Sequence, residues 1–137
     1  MGRTIPVSIQ KSAAEQMASA LSSMDGVSAE VSERSSGTNP RNVVSIECTA
    51  DRWRALAEAL KGEHGVDYCS MITGIHWPEG GPDKNWEVVY HFLRMNISDP
   101  PVVDGMVQPV IVDPTKVKGA SVPLEIEVRI YIPESRE

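Results

Sequence analysis

The chain has 137 residues, and 13 Lys and Arg against 19 Asp and Glu give a formal net charge of −6. This length suits one domain with one core, so residues 1–137 are expected to form a single domain. Phosphate binding needs a basic patch, so a nucleic-acid partner is not expected. No run approaches the ~18 apolar residues of a membrane span, so any membrane contact is expected through another protein.

A first helix is predicted near the N-terminus. Before it, Ile5, Val7 and Ile9 alternate with polar residues or proline, which predicts a short edge strand or an extended arm. Ser12-Ala-Ala-Glu15 has the form of a capping box, in which hydroxyl and carboxylate bond the free N–H groups, so the helix is predicted to begin there. Asp25-Gly26 predicts its end, because glycine accepts a positive φ.

A hairpin and a second helix are predicted next. The hairpin joins a weak polar strand over residues 27–36 to a stronger strand over residues 42–48. Thr49 or Asp51 is predicted to cap the second helix, which runs to Lys61. Its predicted buried stripe consists of Trp53, Leu56, Ala57 and Leu60. Cys48 and Cys69 are expected to be reduced, small, buried strand residues, and a bridge between them is not favoured.

Two long neighbouring strands are predicted in residues 65–78 and 85–95, joined by a loop rich in turn residues. The second strand is apolar on both faces, with Trp86 and Tyr90 on one face and Val89 and Leu93 on the other. Such a strand is expected in the middle of a sheet, with cover on each face.

Residues 97–123 contain five of the ten prolines and are predicted to be an insertion between the last two core strands. Such a connection is either functional or a tolerated surface insertion. Within it, Asp104-Gly105 predicts a small hairpin. The final strand, residues 124–132, alternates cleanly between apolar and polar side chains.

These elements predict an α+β fold with the order α-β-β-α-β-β-β. Two helices, each about 10 Å wide, would cover one face of a mixed five-stranded sheet whose strands lie about 4.8 Å apart. The result is a two-layer sandwich. The other face, apolar around the central strand, would stay uncovered and predicts a partner.

Chemistry by this chain alone has little support in the sequence. His64, His76 and His91 match no metal-ligand spacing, and no glycine-rich phosphate loop is present. No nucleophile has a predicted base beside it. An enzyme that uses His76 or His91 as a base is therefore the weaker hypothesis.

The central part of the chain carries a more specific pattern. A helix of the form WxxLAxxLK precedes Val66-Asp-Tyr-Cys-Ser70, Ile72-Thr-Gly74, Trp77-Pro78 and Glu87-Val-Val-Tyr-His-Phe-Leu93. This combination resembles the C subunit of NADH–quinone oxidoreductase, the respiratory complex I family, and the related component of membrane-bound nickel–iron hydrogenase complexes. The residues that match the family pattern directly are Asp67, Tyr68, Thr73, Gly74, Pro78, Glu87, Val88, Val89, Tyr90 and His91.

Some positions depart from the pattern. Met71 and His76 stand where the family usually has aspartates, and the insertion at 97–123 replaces a short connection. The family usually continues beyond the strand that ends at Ile132 into a segment that wraps the neighbouring catalytic subunit. The chain is therefore expected to be either a truncated form or a divergent member.

The resemblance implies a non-catalytic structural and assembly subunit, without a cofactor, in the peripheral arm of a proton-translocating NADH–quinone oxidoreductase-type complex. It would pack against the catalytic subunit at the quinone or nickel–iron site, beside iron–sulfur subunits, on the cytoplasmic inner face of the cell membrane. The expected partner contacts are Tyr68, Thr73, Gly74, His76, Trp77, Glu87, Tyr90 and His91. The alternative from another class is a free-standing domain that binds a small ligand under residues 97–123. The pattern does not identify the electron donor.

Overall fold

A computed structural model describes residues 7–36, 39–80, 84–95, 102–107 and 122–133. The predicted α+β sandwich and its element order are confirmed. The elements are α1 (Val7–Ser22), β1 (Val27–Ser36), β2 (Asn39–Thr49), a 3-10 turn (Ala50–Arg52), α2 (Trp53–Gly62), β3 (Tyr68–His76), β4 (Trp86–Arg94), β5 (Val102–Val103), β6 (Met106–Val107) and β7 (Leu124–Ile132).

Five strands form one sheet in the order β1-β2-β7-β4-β3. β2 and β7 pair in parallel, and the other neighbours pair antiparallel, so the sheet is mixed as predicted. β4 is an interior strand with a neighbour on each side, as predicted, but β7 returns between β2 and β4 and takes the central place. Strand order depends on this long-range pairing, which apolar character alone does not report.

Both helices pack on one face of the sheet, which is called the helix side here. Ile126 and Val128 of β7 lie on this side with Ile46 of β2, and all three are buried. α1 contributes Met17 and Leu21 to the same core. The other core members include Ala13, Ala14, Ala18, Val44, Leu56, Leu60, Leu124 and Ile130.

The two helix boundaries differ from the prediction. α1 begins at Val7, so Ser12 and Glu15 are exposed positions within the helix, not a cap. The predicted strand or arm is wrong for Val7–Gln10, and residues 1–6 lie outside the described residues. The buried residues that recur along α1 make one continuous helical face, and this long periodicity outweighs the short alternation of Val7 and Ile9.

α2 follows the 3-10 turn without a side-chain cap from Thr49. Its buried residues are Leu56, Ala59 and Leu60, whereas Ala57 is half-buried. Gly62 is the last residue of α2, so the predicted end at Lys61 is one residue early. Gly65, in the turn that follows the helix, has a positive φ of 66°.

The predicted hairpin within residues 97–123 is present as β5 and β6. Its two turn residues both have positive φ, 53° at Asp104 and 74° at Gly105. This conformation is the one that an Asp-Gly pair favours in a two-residue hairpin turn. The rest of that connection lies outside the described residues, except Val122 and Pro123, so its role as an insertion stays a prediction.

Candidate partner interface

β3 forms one edge of the sheet, and none of its residues, from Tyr68 to His76, is charged. The helix layer ends before it: Trp53 of α2 stacks on Tyr90 of β4 with ring centroids 4.4 Å apart. Beyond that contact, Ile72 is 60% exposed and Met71 is 53% exposed. β3 together with the exposed Trp77 and Trp86 is called the β3 edge below. Met71 and Trp77 lie on the face opposite the helices, whereas Ile72 and Trp86 lie on the helix side, so exposed apolar side chains border both faces of this edge.

The face opposite the helices, called the second face, carries the predicted contacts Tyr68, Thr73, Glu87 and His91. Gly74, His76 and Tyr90 lie on the helix side, and Trp77 follows β3. Tyr90 packs between Trp53 and Phe92, so it belongs to the core. As expected for a regular strand, Tyr90 and His91 point to opposite faces. The contact roles of all eight residues stay predictions.

A chain of ion pairs crosses the middle of the second face. Arg34 of β1 bonds Glu127 of β7, and Arg129 bonds Glu127 at 2.8 Å. Arg129 also lies 3.2 Å from Glu87 of β4, whose other oxygen accepts the indole N–H of Trp77 at 2.8 Å. The expected apolar centre of this face is therefore wrong, since the central strand is β7, with polar side chains there. Exposed apolar surface lies at the edge instead.

Burial and hydrogen bonding act in opposite directions on the Glu127 carboxyl group. Burial raises the pKa of Glu127, but hydrogen bonds from Arg34 and Arg129 and their charges outweigh it and hold the pKa below its ordinary value. Glu87 and Glu127 are each 2% exposed. Both oxygens of Glu87 accept hydrogen bonds, from Arg129 and Trp77, so the network holds the Trp77 indole against the second face.

Two grooves lie at the end of the sheet where Lys84 and Tyr131 stand. One, of about 550 Å³, lies beside Trp77 and Tyr131, and Lys84 reaches over the Tyr131 ring at 4.7 Å. The other, of about 800 Å³, runs past Glu47 and Asp51. Both are open surfaces that share Lys84 and Tyr131. Their mixed charges give neither groove the like-charged lining that would select a small ion.

The three histidines do not come together. His64 lies in the turn after α2, and burial lowers its pKa. His76 stacks on Trp86 with centroids 4.1 Å apart, while His91 lies on the second face opposite Glu127. Among the residues that the structure describes, no three His, Cys, Asp or Glu side chains form a group that could hold a metal ion. In the same ranges no helix has the length and apolar character needed to cross a membrane.

Sequence reasoning missed the buried Arg94. Its Nε donates to the carbonyl oxygen of Val122 at 2.8 Å, and Nη1 donates to that of His64 at 3.0 Å. It therefore ties the end of β4 to the start of β7 and to the α2–β3 turn. The available signal was an arginine that directly continues an apolar strand. A buried arginine needs hydrogen-bond partners, so this position predicts contacts to neighbouring elements.

Comparisons with known proteins bear on the same region. Residues 46–129 match the family model described as "Respiratory-chain NADH dehydrogenase, 30 Kd subunit". No curated protein matches the chain. A solved structure described as "Nqo5 of the trypsin-resistant fragment (1-134) in P63 form" is similar, with a TM-score of 0.43 and 17% sequence identity. That match covers 77% of this chain and 62% of the other, so the chain spans less than two thirds of that structure's length.

Proposed function

The chain belongs to the family of the 30 kDa subunit of respiratory-chain NADH dehydrogenase, and from that premise we propose that it is a non-catalytic assembly subunit of a quinone-reducing complex. It would lie in the peripheral arm and pack against the catalytic subunit at the quinone site, with iron–sulfur subunits beside it. It would meet the inner face of the cell membrane only through that complex.

The observation that carries this proposal is the uncharged, exposed β3 edge. Soluble proteins usually protect a free sheet edge with charged residues, proline or a covering element. β1, at the other edge, carries Glu30, Glu33 and Arg34, whereas β3 has no charged residue. An exposed apolar edge of this kind is typical of a surface that another polypeptide covers.

A structural role also agrees with the polar groups of the second face. Arg129 donates to both Glu87 and Glu127, and Glu87 also accepts from Trp77, so these hydrogen bonds support the sheet and Trp77. Satisfied groups of this kind add rigidity to a fold. A rigid sheet with one bare edge suits a subunit that positions its neighbours.

The test is affinity purification of the tagged full chain from mild detergent extracts of native cells. We expect a large catalytic subunit and iron–sulfur subunits in fixed proportion to the chain. Met71→Lys should lower that recovery by about tenfold or more, corresponding to about 1.4 kcal/mol of binding free energy. Ser35→Lys makes a charge change at an exposed position of β1 and is the matched control.

Two results would contradict the proposal. One is recovery of the chain as a monomer in every extract, and the other is equal recovery with both lysine variants. Recovery with a nickel–iron subunit in place of a quinone-site subunit would assign the chain to a hydrogenase complex. The β3 edge would then be the contact surface in that complex.

A further inference from the structure

The backbone of β3 has hydrogen-bonding groups that turn away from the sheet. The N–H of Trp77 donates to the carbonyl oxygen of Asn85 at 2.7 Å. The register continues without a break from this pair to Met71 opposite His91. In an antiparallel ladder, successive residues bond alternately toward one neighbour and the other. Counting back from Trp77, the backbone N–H and C=O groups of Met71, Thr73 and Ile75 point toward β4. The same groups of Ile72, Gly74 and His76 point away from β4, beyond the edge of the sheet.

These same three positions lie on the helix side of the sheet, in the part that the two described helices do not cover. Among the described residues, neither helix lies over Ile72, which is exposed, and His76 lies against the exposed Trp86. Between them, a Cβ atom on Gly74 would meet no atom within 4 Å. Among the residues that the structure describes, no strand pairs with β3 on its outer side, so the edge combines unpaired backbone groups, an apolar side chain and an open gap on the helix side.

We propose that β3 accepts an extended strand from a partner subunit, and that this strand places a large apolar or aromatic side chain over Gly74. Strand addition satisfies backbone groups at a sheet edge and takes its specificity from alternate side chains. A glycine within a strand leaves room that an aromatic side chain of the neighbouring strand can fill. The partner's identity rests on the proposed function, whereas the mode of binding rests on the β3 edge.

The charges around β3 define the partner strand further. β3 itself is uncharged, so the middle of the added strand should be uncharged too. Beyond its C-terminal end stands the exposed acidic residue Glu79, whereas Asp67, before its N-terminal end, already accepts the backbone N–H of Met95 at 2.8 Å. Opposite charges across a strand pair stabilise it, and like charges destabilise it. The partner strand is therefore expected to have lysine or arginine just beyond its apolar centre, at the end that lies beside Glu79.

A second copy of this chain is a poorer occupant. Antiparallel self-pairing can place Ile72 of one copy opposite Gly74 of the other and so fill the gap. The same register brings the Asp67 end of each strand to the Glu79 end of its mate, and both ends are acidic. The net charge of −6 on each copy adds to the repulsion.

The first measurement is amide hydrogen exchange, read residue by residue, on the isolated chain and on the purified complex. In the isolated chain, the amides of Ile72, Gly74 and His76 should exchange fast, and those of Thr73 and Ile75 should be protected by β4. In the complex all five should be protected. Fast exchange of the first three in the complex would overturn strand addition.

The second measurement uses Gly74→Leu, which adds a side chain at a position where a Cβ atom meets no other atom within 4 Å in the isolated chain. We expect at least about a tenfold loss of the co-purified partner, with no fall in the melting temperature of the isolated variant. Gly62→Leu is the matched control, because a Cβ there also meets no atom within 4 Å but lies at the end of α2.

The outcomes separate this inference from the proposed function. If the complex is recovered equally with Gly74→Leu and wild-type chains, strand addition at this site is wrong while the assembly role stands. If no partner subunit is recovered, the assembly role fails and the inference fails with it. A dimer of the isolated chain with Ile72, Gly74 and His76 protected would assign the edge to a second copy and overturn the partner subunit.

Discussion

The two edges of the sheet are built differently. β1 is polar, yet its helix-side residues Val27, Ala29 and Val31 pack against the core, and α1 lies over them. β3 is uncharged, yet the helix layer stops one strand short of it at Tyr90. Two helices were expected to span five strands, but α1 lies across β1 and β2, and α2 reaches only as far as β4. The edge that α1 covers contributes to stability, and the edge that the described residues leave uncovered is the one proposed to bind a partner.

The largest expected effect compares a core residue with an edge residue. Leu56 of α2 is fully buried, and Leu56→Ala should lower the free energy of unfolding by about 2–5 kcal/mol through lost burial and the cavity left behind. Ile72 of β3 loses little contact on truncation, so Ile72→Ala should change it by about 0.5 kcal/mol or less. Urea unfolding of both variants measures this difference. Equal losses would mean that the β3 edge belongs to the core.

A smaller effect is expected at the carboxylate that links β1 to the central strand. Glu127→Gln keeps the shape but removes the charge that Arg34 and Arg129 bond, and should cost about 1–3 kcal/mol near neutral pH. Because the folded pKa of Glu127 lies below its ordinary 4.5, its stabilisation is complete above that pH. The stabilisation is lost as the pH falls through the lower folded value.

Urea unfolding of wild type and Glu127→Gln over a pH series checks this sign. The gap between the two should narrow as the pH falls below 4.5, the ordinary pKa. Glu125→Gln is the control, because Glu125 and Arg41 form a partly exposed pair worth about 1 kcal/mol at most. A gap that widens on acidification would contradict the assignment of Glu127 as an ionised, bonded carboxylate.

Local patterns in the sequence predicted single strands and turns better than they predicted which strands lie beside one another. The alternation of β7 and the Asp104-Gly105 turn were confirmed, because each depends on a few adjacent residues. The central place of β7 and the Arg34–Glu127–Arg129 network join residues far apart in the chain, so no local pattern contains them. The family resemblance predicted the β3 edge as part of a partner surface. Its exposure depends on how far α2 reaches across the sheet, which no local pattern contains.

The two cysteines show the same difference between a covered strand and an exposed edge. For them the expected effect is on the rate of thiol modification. Cys48 of β2 is buried, and this burial, with the charges of Asp51 and Glu47, raises the pKa of its thiol to about 11. Cys69 of β3 was expected to be buried as well, but it is exposed at the edge, because neither of the two described helices covers that strand.

An alkylating reagent at mildly basic pH should therefore modify the folded chain once, at Cys69, and modify Cys48 only on unfolding, on the order of a hundredfold more slowly. Peptide mass spectrometry identifies the modified site. In the purified complex, strand addition at β3 should slow the reaction of Cys69 as well, whereas Leu56→Ala should speed that of Cys48 by raising the unfolded fraction. Equal reaction of both thiols in the folded chain would contradict the difference between the two edges, because reagent access follows the cover that each strand receives.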